Sequence, residues 1–376
     1  MTMSRLYPAE FVFPGHPDKL CDAIADALVL EAWMRERRAL VGVEVAVHRN
    51  RVFVTGRIAC EDAMSIDVAA TVRDVYRSAG YGEGWYPSAE DLEIESALCL
   101  GPLEDGEAEF RELSDDQAIC VGYANDLPQT NHLPVEHWLA GRLARRLHAL
   151  RLEAPSLCLG PDGKVLVVVK ECGVREDGAS WSLDAFSCSL QQRVVADDVA
   201  LHRAVRLAVL EELQRLSLVL PGLSPVLPAQ LTVNGAGAFE VGGPEGDNGL
   251  SGKKLVMDAY GPRVPIGGGA WSGKDFFKAD RAGGMHARRL AKFVVELGLA
   301  SEARVTLGWF PGDREARVLE IAGAAGESVS AERVARCVDL TLVHSGNHFH
   351  DANLVEVARW GHFESIDAPW ERLQRV

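Results

Sequence analysis

Apolar side chains at Leu20, Ile24 and Leu28, with Ala27 between them, draw a stripe at i, i+4 and i+8, and Pro17 stands where a first turn starts. This predicts an amphipathic helix over 19–33. Next, 41–47 and 52–58 alternate apolar and polar positions about His48-Arg49-Asn50-Arg51, the pattern of a hairpin, and a helix is expected over 63–78. The succession recurs. Strands over 165–169 and 181–189 lead into a Leu- and Val-rich helix over 197–213, and strands over 231–233, 304–309 and 318–321 surround a helix over 285–297. Periodicity lapses in the acidic stretch 101–116 and in the Pro- and Leu-rich stretch 221–228. The chain is therefore expected to divide into an N-terminal α+β unit over 1–101, a mobile loop over 102–116, a central unit over 117–228 and a C-terminal unit over 229–376. A loop of this length is often a lid over a site, and a plain solvated linker has the same composition.

At 376 residues the chain is long enough for two or three packed units, given about 100–200 residues per domain. Apolar residues at 47 % beside charged residues at 25 % are the balance of a folded globular protein. No apolar run reaches the roughly 18–20 residues of a spanning helix, and the opening residues lack a basic region followed by an apolar stretch. The reading is a cytoplasmic protein with no membrane partner. A net charge of −15 argues against nucleic acid as the main partner, because counterion release needs clustered Lys and Arg. The eight cysteines fall singly, without the paired spacing of zinc sites or an extracellular disulfide framework, and are read as reduced thiols.

The densest candidate chemistry is 242–254, Gly-Gly-Pro-Glu-Gly-Asp-Asn-Gly-Leu-Ser-Gly-Lys-Lys, followed by 267–281, which opens Gly-Gly-Gly-Ala-Trp-Ser-Gly-Lys-Asp. Together they gather Lys253, Lys254, Lys274, Lys278 and Arg281 into one short stretch. Glycines let backbone N–H groups approach phosphate oxygens, and ammonium groups neutralise a polyphosphate, so the two loops read as a triphosphate cradle. A turn-rich surface with solvated lysines is the alternative, and two such loops in an acidic protein weigh against it. Residues 268–274 fit GxxxxGK, but Asp275 replaces the Ser or Thr that would hold magnesium and no apolar strand precedes the run, so it is not a P-loop. His16-Pro-Asp-Lys opens the first helix, where free N–H groups and the helix dipole favour anions; Asp18 there either shares a metal with them or caps the helix. Asp280, two residues after Lys278, is a second carboxylate for a magnesium ion bridging phosphates, or a surface residue. His344, His348 and His350 have spacings that suit a metal, although solvated or capping roles are commoner, and Trp85 and Tyr86 are expected at an interface.

GHPDKLCDAIADA over 15–27, Asp116-Gln117 ahead of GYAN, GPDGK over 160–164, GGPEGDNGLSGKK, GGGAWSGKD with KADR, and the closing WGHF with PWE follow one another as the motifs of the S-adenosylmethionine synthetase family do. The chain resembles that family from about residue 10 to residue 370. The resemblance implies three similar α+β subdomains with mixed sheets in a pseudo-threefold arrangement. It implies a transferase in which methionine sulfur displaces the triphosphate of ATP at C5′, followed by hydrolysis of the triphosphate to pyrophosphate and phosphate. By the same resemblance His16 meets the leaving 5′ oxygen, and Lys164, Lys253, Lys254 and Lys274 contact phosphates. Asp116 and Asp162 hold the nucleoside, Phe239 packs on adenine, Ala270 makes a backbone contact to ATP, and Asp247 and Lys278 face the amino acid. Two magnesium ions at Asp18 and Asp280, potassium at Glu44, and a homodimer or dimer of dimers with active sites between subunits complete what the family implies.

The sequence departs from the family on the amino-acid side. Arg57 stands where a glutamate normally receives the α-amino group of methionine, and the loop after Leu100 reads GPLEDGE, without the family's substrate-contacting glutamine. Softer changes are Ala238 and Lys253 in place of arginines and Phe13-Pro14 in place of Ser-Glu. Three readings follow: Arg57 binds a carboxylate or phosphate of a different acceptor, or it pairs with Glu44 across the hairpin, or the chain is a non-catalytic partner subunit. The second reading places a guanidinium beside the potassium ligand and so predicts independence from potassium. Retention of His16, Lys164, Lys274 and Asp280 argues against the third.

Overall fold

The structure, a computed structural model, describes residues 5–82, 84–175, 178–193, 197–324, 326, 328–330, 334 and 337–372. Its strands are β1 (Arg5–Val12), β2 (Leu40–His48), β3 (Arg51–Ala59), β4 (Glu93–Gly101), β5 (Ala118–Asn125), β6 (Leu159–Arg175), β7 (Gly178–Gln192), β8 (Gln230–Val233), β9 (Gly249–Leu250), β10 (Glu302–Trp309) and β11 (Arg317–Gly323). They form three sheets, ordered β1-β6-β7-β8, β11-β10-β5 and β4-β3-β2-β9. Two of the three are mixed, since β3–β4 and β7–β8 run parallel while their other pairings are antiparallel. The helices are α1 (Pro17–Arg35), α2 (Val68–Ala79), α3 (Glu107–Phe110), α4 (Val135–Glu153), α5 (Asp198–Val219), α6 (Leu255–Asp258), α7 (Ala279–Glu296), α8 (Leu342–His348) and α9 (Leu354–Trp360). The fold is α+β. Strands distant in sequence share sheets: β1 lies against β6, β5 against β10, and β9 against β2.

The hairpin forms because Val41, Val43, Val45, Val47, Val52, Val54 and Ile58 all face one side and are buried there beneath α1. One large core gathers α1, α4 and the two four-stranded sheets, and a second lies between α7 and β5-β10-β11. The stretch expected as one helix over 63–78 is a 3₁₀ turn, Ala63–Ser65, followed by α2, because Asp67 caps α2 by accepting the Ala70 N–H at 2.8 Å. The long helix α4 escaped the periodicity argument because Trp138, Leu139, Ala140, Leu143, Ala144 and Leu147 are all buried, leaving no single stripe. His350 is a core residue, stacked on Trp33 with ring centroids 5.5 Å apart, and among the described residues no three His, Cys, Asp or Glu side chains are arranged to hold a metal. No described helix is long and apolar enough to cross a membrane.

Candidate active site

Helix α1 is buried on nearly every side, yet it carries Asp18, Asp22 and Asp26 at four-residue spacing, 1 %, 0 % and 0 % exposed. Carboxylates in such surroundings require donors, and the two glycine-rich loops supply them. Asp18 accepts the N–H of Leu250 at 3.0 Å, Asp22 that of Gly252 at 2.7 Å and Asp26 that of Gly273 at 2.9 Å. The buried cations Lys19 and Arg281 complete the ladder, Lys19 between Asp22 and Asp258 and Arg281 in a two-pronged pair with Asp26. Asp22 and Asp26 were not among the residues expected at the site. Their signal was the four-residue repeat of aspartate on an otherwise apolar helix.

His16 is the N-cap of α1, and its Nδ1 accepts the Asp18 N–H at 3.2 Å. Burial pushes its imidazole down to about 4, with Lys254 and Lys164 adding to the effect against Asp18 and Asp247. The ring is therefore neutral at pH 7. With Nδ1 engaged as an acceptor, the proton sits on Nε2, which makes that nitrogen a donor.

His16, Asp162, Lys164, Phe239 and Asp247 line one cavity of about 380 Å³ between the start of β6 and the segment after β8. Asp162 accepts the Gly243 N–H at 2.8 Å, and burial pushes its carboxyl up to about 6 despite that bond. Lys164 rests on Glu10 at 2.6 Å, while Lys253 and Lys254 stand 3.5 and 3.4 Å from Asp18. Lys253 faces Oδ1 of Asp18 and Lys254 faces Oδ2, which is buried and accepts no hydrogen bond. The cavity thus joins an apolar ring, a buried carboxylate, a neutral histidine and Lys164, with Lys253 and Lys254 at neighbouring Asp18, an arrangement suited to an aromatic ligand with a multiply charged tail.

The other candidates do not line this cavity. Lys274 pairs with Asp280 at 2.5 Å, Lys278 with Asp115, and Ala270 lies against the Gly252 turn. Asp116 is exposed at the foot of β5, where its Oδ1 accepts the Gln117 N–H at 2.7 Å.

Arg57 is not beside Glu44. The tight turn at Arg49-Asn50 pairs His48 with Arg51, so Glu44 faces Thr55 and Arg57 faces Gly42. Glu44 instead accepts the Ser251 hydroxyl at 2.6 Å, and among the described residues no cation pairs with it. Arg57 reaches the acidic segment, 2.8 Å from Glu107 and 3.3 Å from Glu104. The proposed cross-strand pair, and with it the ground for potassium independence, is corrected by this register. Segment 102–116 is further tied down by Arg111, which pairs with buried Asp275 and donates to the Ala39 carbonyl at 2.8 Å, and by Arg38, which donates to the Ala108 carbonyl at 2.8 Å.

Comparison with known proteins places this α+β fold. The model of the S-adenosylmethionine synthetase N-terminal domain matches residues 4–98, and that of the C-terminal domain matches 241–372. The chain is 31 % identical to the S-adenosylmethionine synthase of Thermosynechococcus vestitus over 100 % of this chain and 97 % of that relative. It is 31 % identical to that of Deinococcus deserti over 100 % and 98 %, and 32 % identical to that of Desulforudis audaxviator over 99 % and 97 %. The chain belongs to the S-adenosylmethionine synthetase family.

Proposed function

We propose that this chain is a methionine adenosyltransferase, forming S-adenosylmethionine from ATP and L-methionine with release of pyrophosphate and phosphate. The observation that carries the reading is the cavity that sets neutral His16 among Asp162, Lys164, Phe239 and Asp247 beside Lys253 and Lys254. Phe239 packs on adenine, and the Asp162 carboxylate accepts from the ribose. As the sulfur–C5′ bond forms and the C5′–O5′ bond breaks, the electron pair leaves on the triphosphate. The Nε2–H of His16 donates to that oxygen, and the lysines neutralise the growing charge. Lys274 acts on the same chain of phosphates, Asp116 on the nucleoside, Ala270 through its backbone, and Lys278 and Asp247 on the amino acid.

Magnesium suits this site. Asp18, whose buried Oδ2 accepts no hydrogen bond although Lys254 stands 3.4 Å away, and Asp280, now paired with Lys274, would each offer one carboxylate to magnesium, an ion that takes few protein ligands when phosphates and waters fill its other positions. When bound, the metal adds charge neutralisation on the phosphates. Glu44, free of Arg57, remains open to potassium.

The engagement of Arg57 by the chain's own Glu104 and Glu107 accounts for that residue without a different acceptor. The open face of β4-β3-β2-β9 supports self-association: Phe53 and Leu250 are 40 % and 47 % exposed there, around a groove of about 590 Å³. Light scattering is expected to give a dimer or a dimer of dimers. The reaction is tested by phosphate release from ATP and magnesium, which should require methionine. Release at the same rate without any acceptor would defeat the reading.

A further inference from the structure

Two turns of one composition, Ser251-Gly252-Lys253 and Ser272-Gly273-Lys274, approach α1 at Asp22 and Asp26, one helical turn apart. Both glycines are left-handed, with φ of 75° and 87°. A Cβ on Gly252 would fall 2.4 Å from that of Ala270, and one on Gly273 would fall 2.2 Å from the Val43 carbonyl oxygen. Both turns also bond to β2, the first through Ser251 N–H to the Val45 carbonyl at 3.0 Å, the second through the Gly273 carbonyl, which accepts the Val43 N–H at 2.9 Å. Each gripped glycine immediately precedes a lysine of the triphosphate site. A lysine is a point charge on a flexible four-carbon stem, so its aim depends on how firmly its backbone is held. A charge-assisted bond from a buried carboxylate, itself fixed by Lys19 or Arg281, supplies that hold.

We propose that Asp22 and Asp26 are positioning residues of the transferase, fixing Lys253 and Lys274 respectively through the N–H of the preceding glycine. The inference rests on the proposed triphosphate role of those lysines. Neither carboxylate is exposed, so neither touches substrate.

The test is a cycle on the full chain, comparing Asp22→Ala and Asp22→Asn in the unmutated and Lys253→Ala backgrounds, with the KM and calorimetric affinity for ATP as readouts. Asp22→Ala should weaken ATP about tenfold, whereas Asp22→Asn, whose amide oxygen still accepts the Gly252 N–H, should stay within about threefold. In the Lys253→Ala background the alanine effect should shrink below about threefold, because the two residues act as one unit. Equal damage from both substitutions, an unchanged ATP affinity, or the same factor in both backgrounds would overturn the proposal. If Asp22→Ala does not fold, Gly252→Ala leaves α1 intact and pushes the turn off Ala270; it should give the same loss of about tenfold, again collapsing with Lys253→Ala. Unchanged affinity in that variant overturns the proposal equally. Asp26 and Lys274 form the matching cycle. An unmutated chain that binds ATP but turns nothing over contradicts the proposed reaction and leaves the affinity cycle decisive for this inference.

Discussion

The cavity at the start of α1 and the face that carries Arg57 treat their charges differently. At the cavity, His16 is neutral with Nε2 left as a donor, the buried Oδ2 of Asp18 accepts no hydrogen bond, Lys253 and Lys254 stand 3.5 and 3.4 Å from that one carboxylate, and Lys164 rests on Glu10. At the other face, the chain's own carboxylates cover the cations: Glu104 and Glu107 meet Arg57, and Asp115 meets Lys278. The first region holds three lysines on two carboxylates beside an open cavity, where an outside partner of several negative charges can take their place. In the second, Arg57 is already satisfied and holds the acidic segment 102–116 in place. A departure from the family's residue at one position thus has its explanation fifty residues away rather than in a new substrate.

Removing the donor at the cavity should have the largest effect. His16→Ala is expected to lower kcat about a hundredfold with the fold intact, measured by phosphate release, and a loss below about threefold would deny His16 a part in the chemistry. Next comes pH. The carboxyl of Asp162 is raised to about 6, so it is ionised above that pH and protonated below it. Nucleoside affinity should therefore fall about tenfold between pH 7.5 and 5 as the acceptor is lost, and Asp162→Asn should flatten the profile. His16, lowered to about 4, stays neutral through this window and does not confuse it.

At the opposite face, Arg57→Glu sets like charges against Glu104 and Glu107. It should raise the KM for methionine about fivefold, leave that for ATP unchanged, and speed amide exchange over 102–116. Adding Glu107→Arg should reverse the change. A lower KM for methionine in the single variant would mean that the arginine obstructs the acceptor instead of holding the segment. The smallest expected effect is that of potassium, a rise in rate of about threefold that disappears in Glu44→Gln.

Much of this was legible in the sequence because periodicity and composition are local. Helix α1, the β2–β3 hairpin, the helix after 197 and the glycine-rich loops announce themselves within short windows. Strands β1 and β5 did not, since their partners β6 and β10 lie far along the chain and their own patterns are brief. Register was the decisive miss. A turn at Arg49-Asn50 sets 44 opposite 55; placing 44 near-opposite 57 would need a turn centred one residue later, and that shift of two positions exchanged one ion pair for another. The contact of Arg57 with Glu104 and Glu107 has no periodic signature at all.

The most direct measurement is the mass of the adenosylated product formed from ATP and magnesium when methionine competes with other thioethers and with anionic nucleophiles. S-adenosylmethionine as the main product is predicted, with Arg57 retained. A different adenosylated product, or no turnover with ATP still bound, would contradict the account.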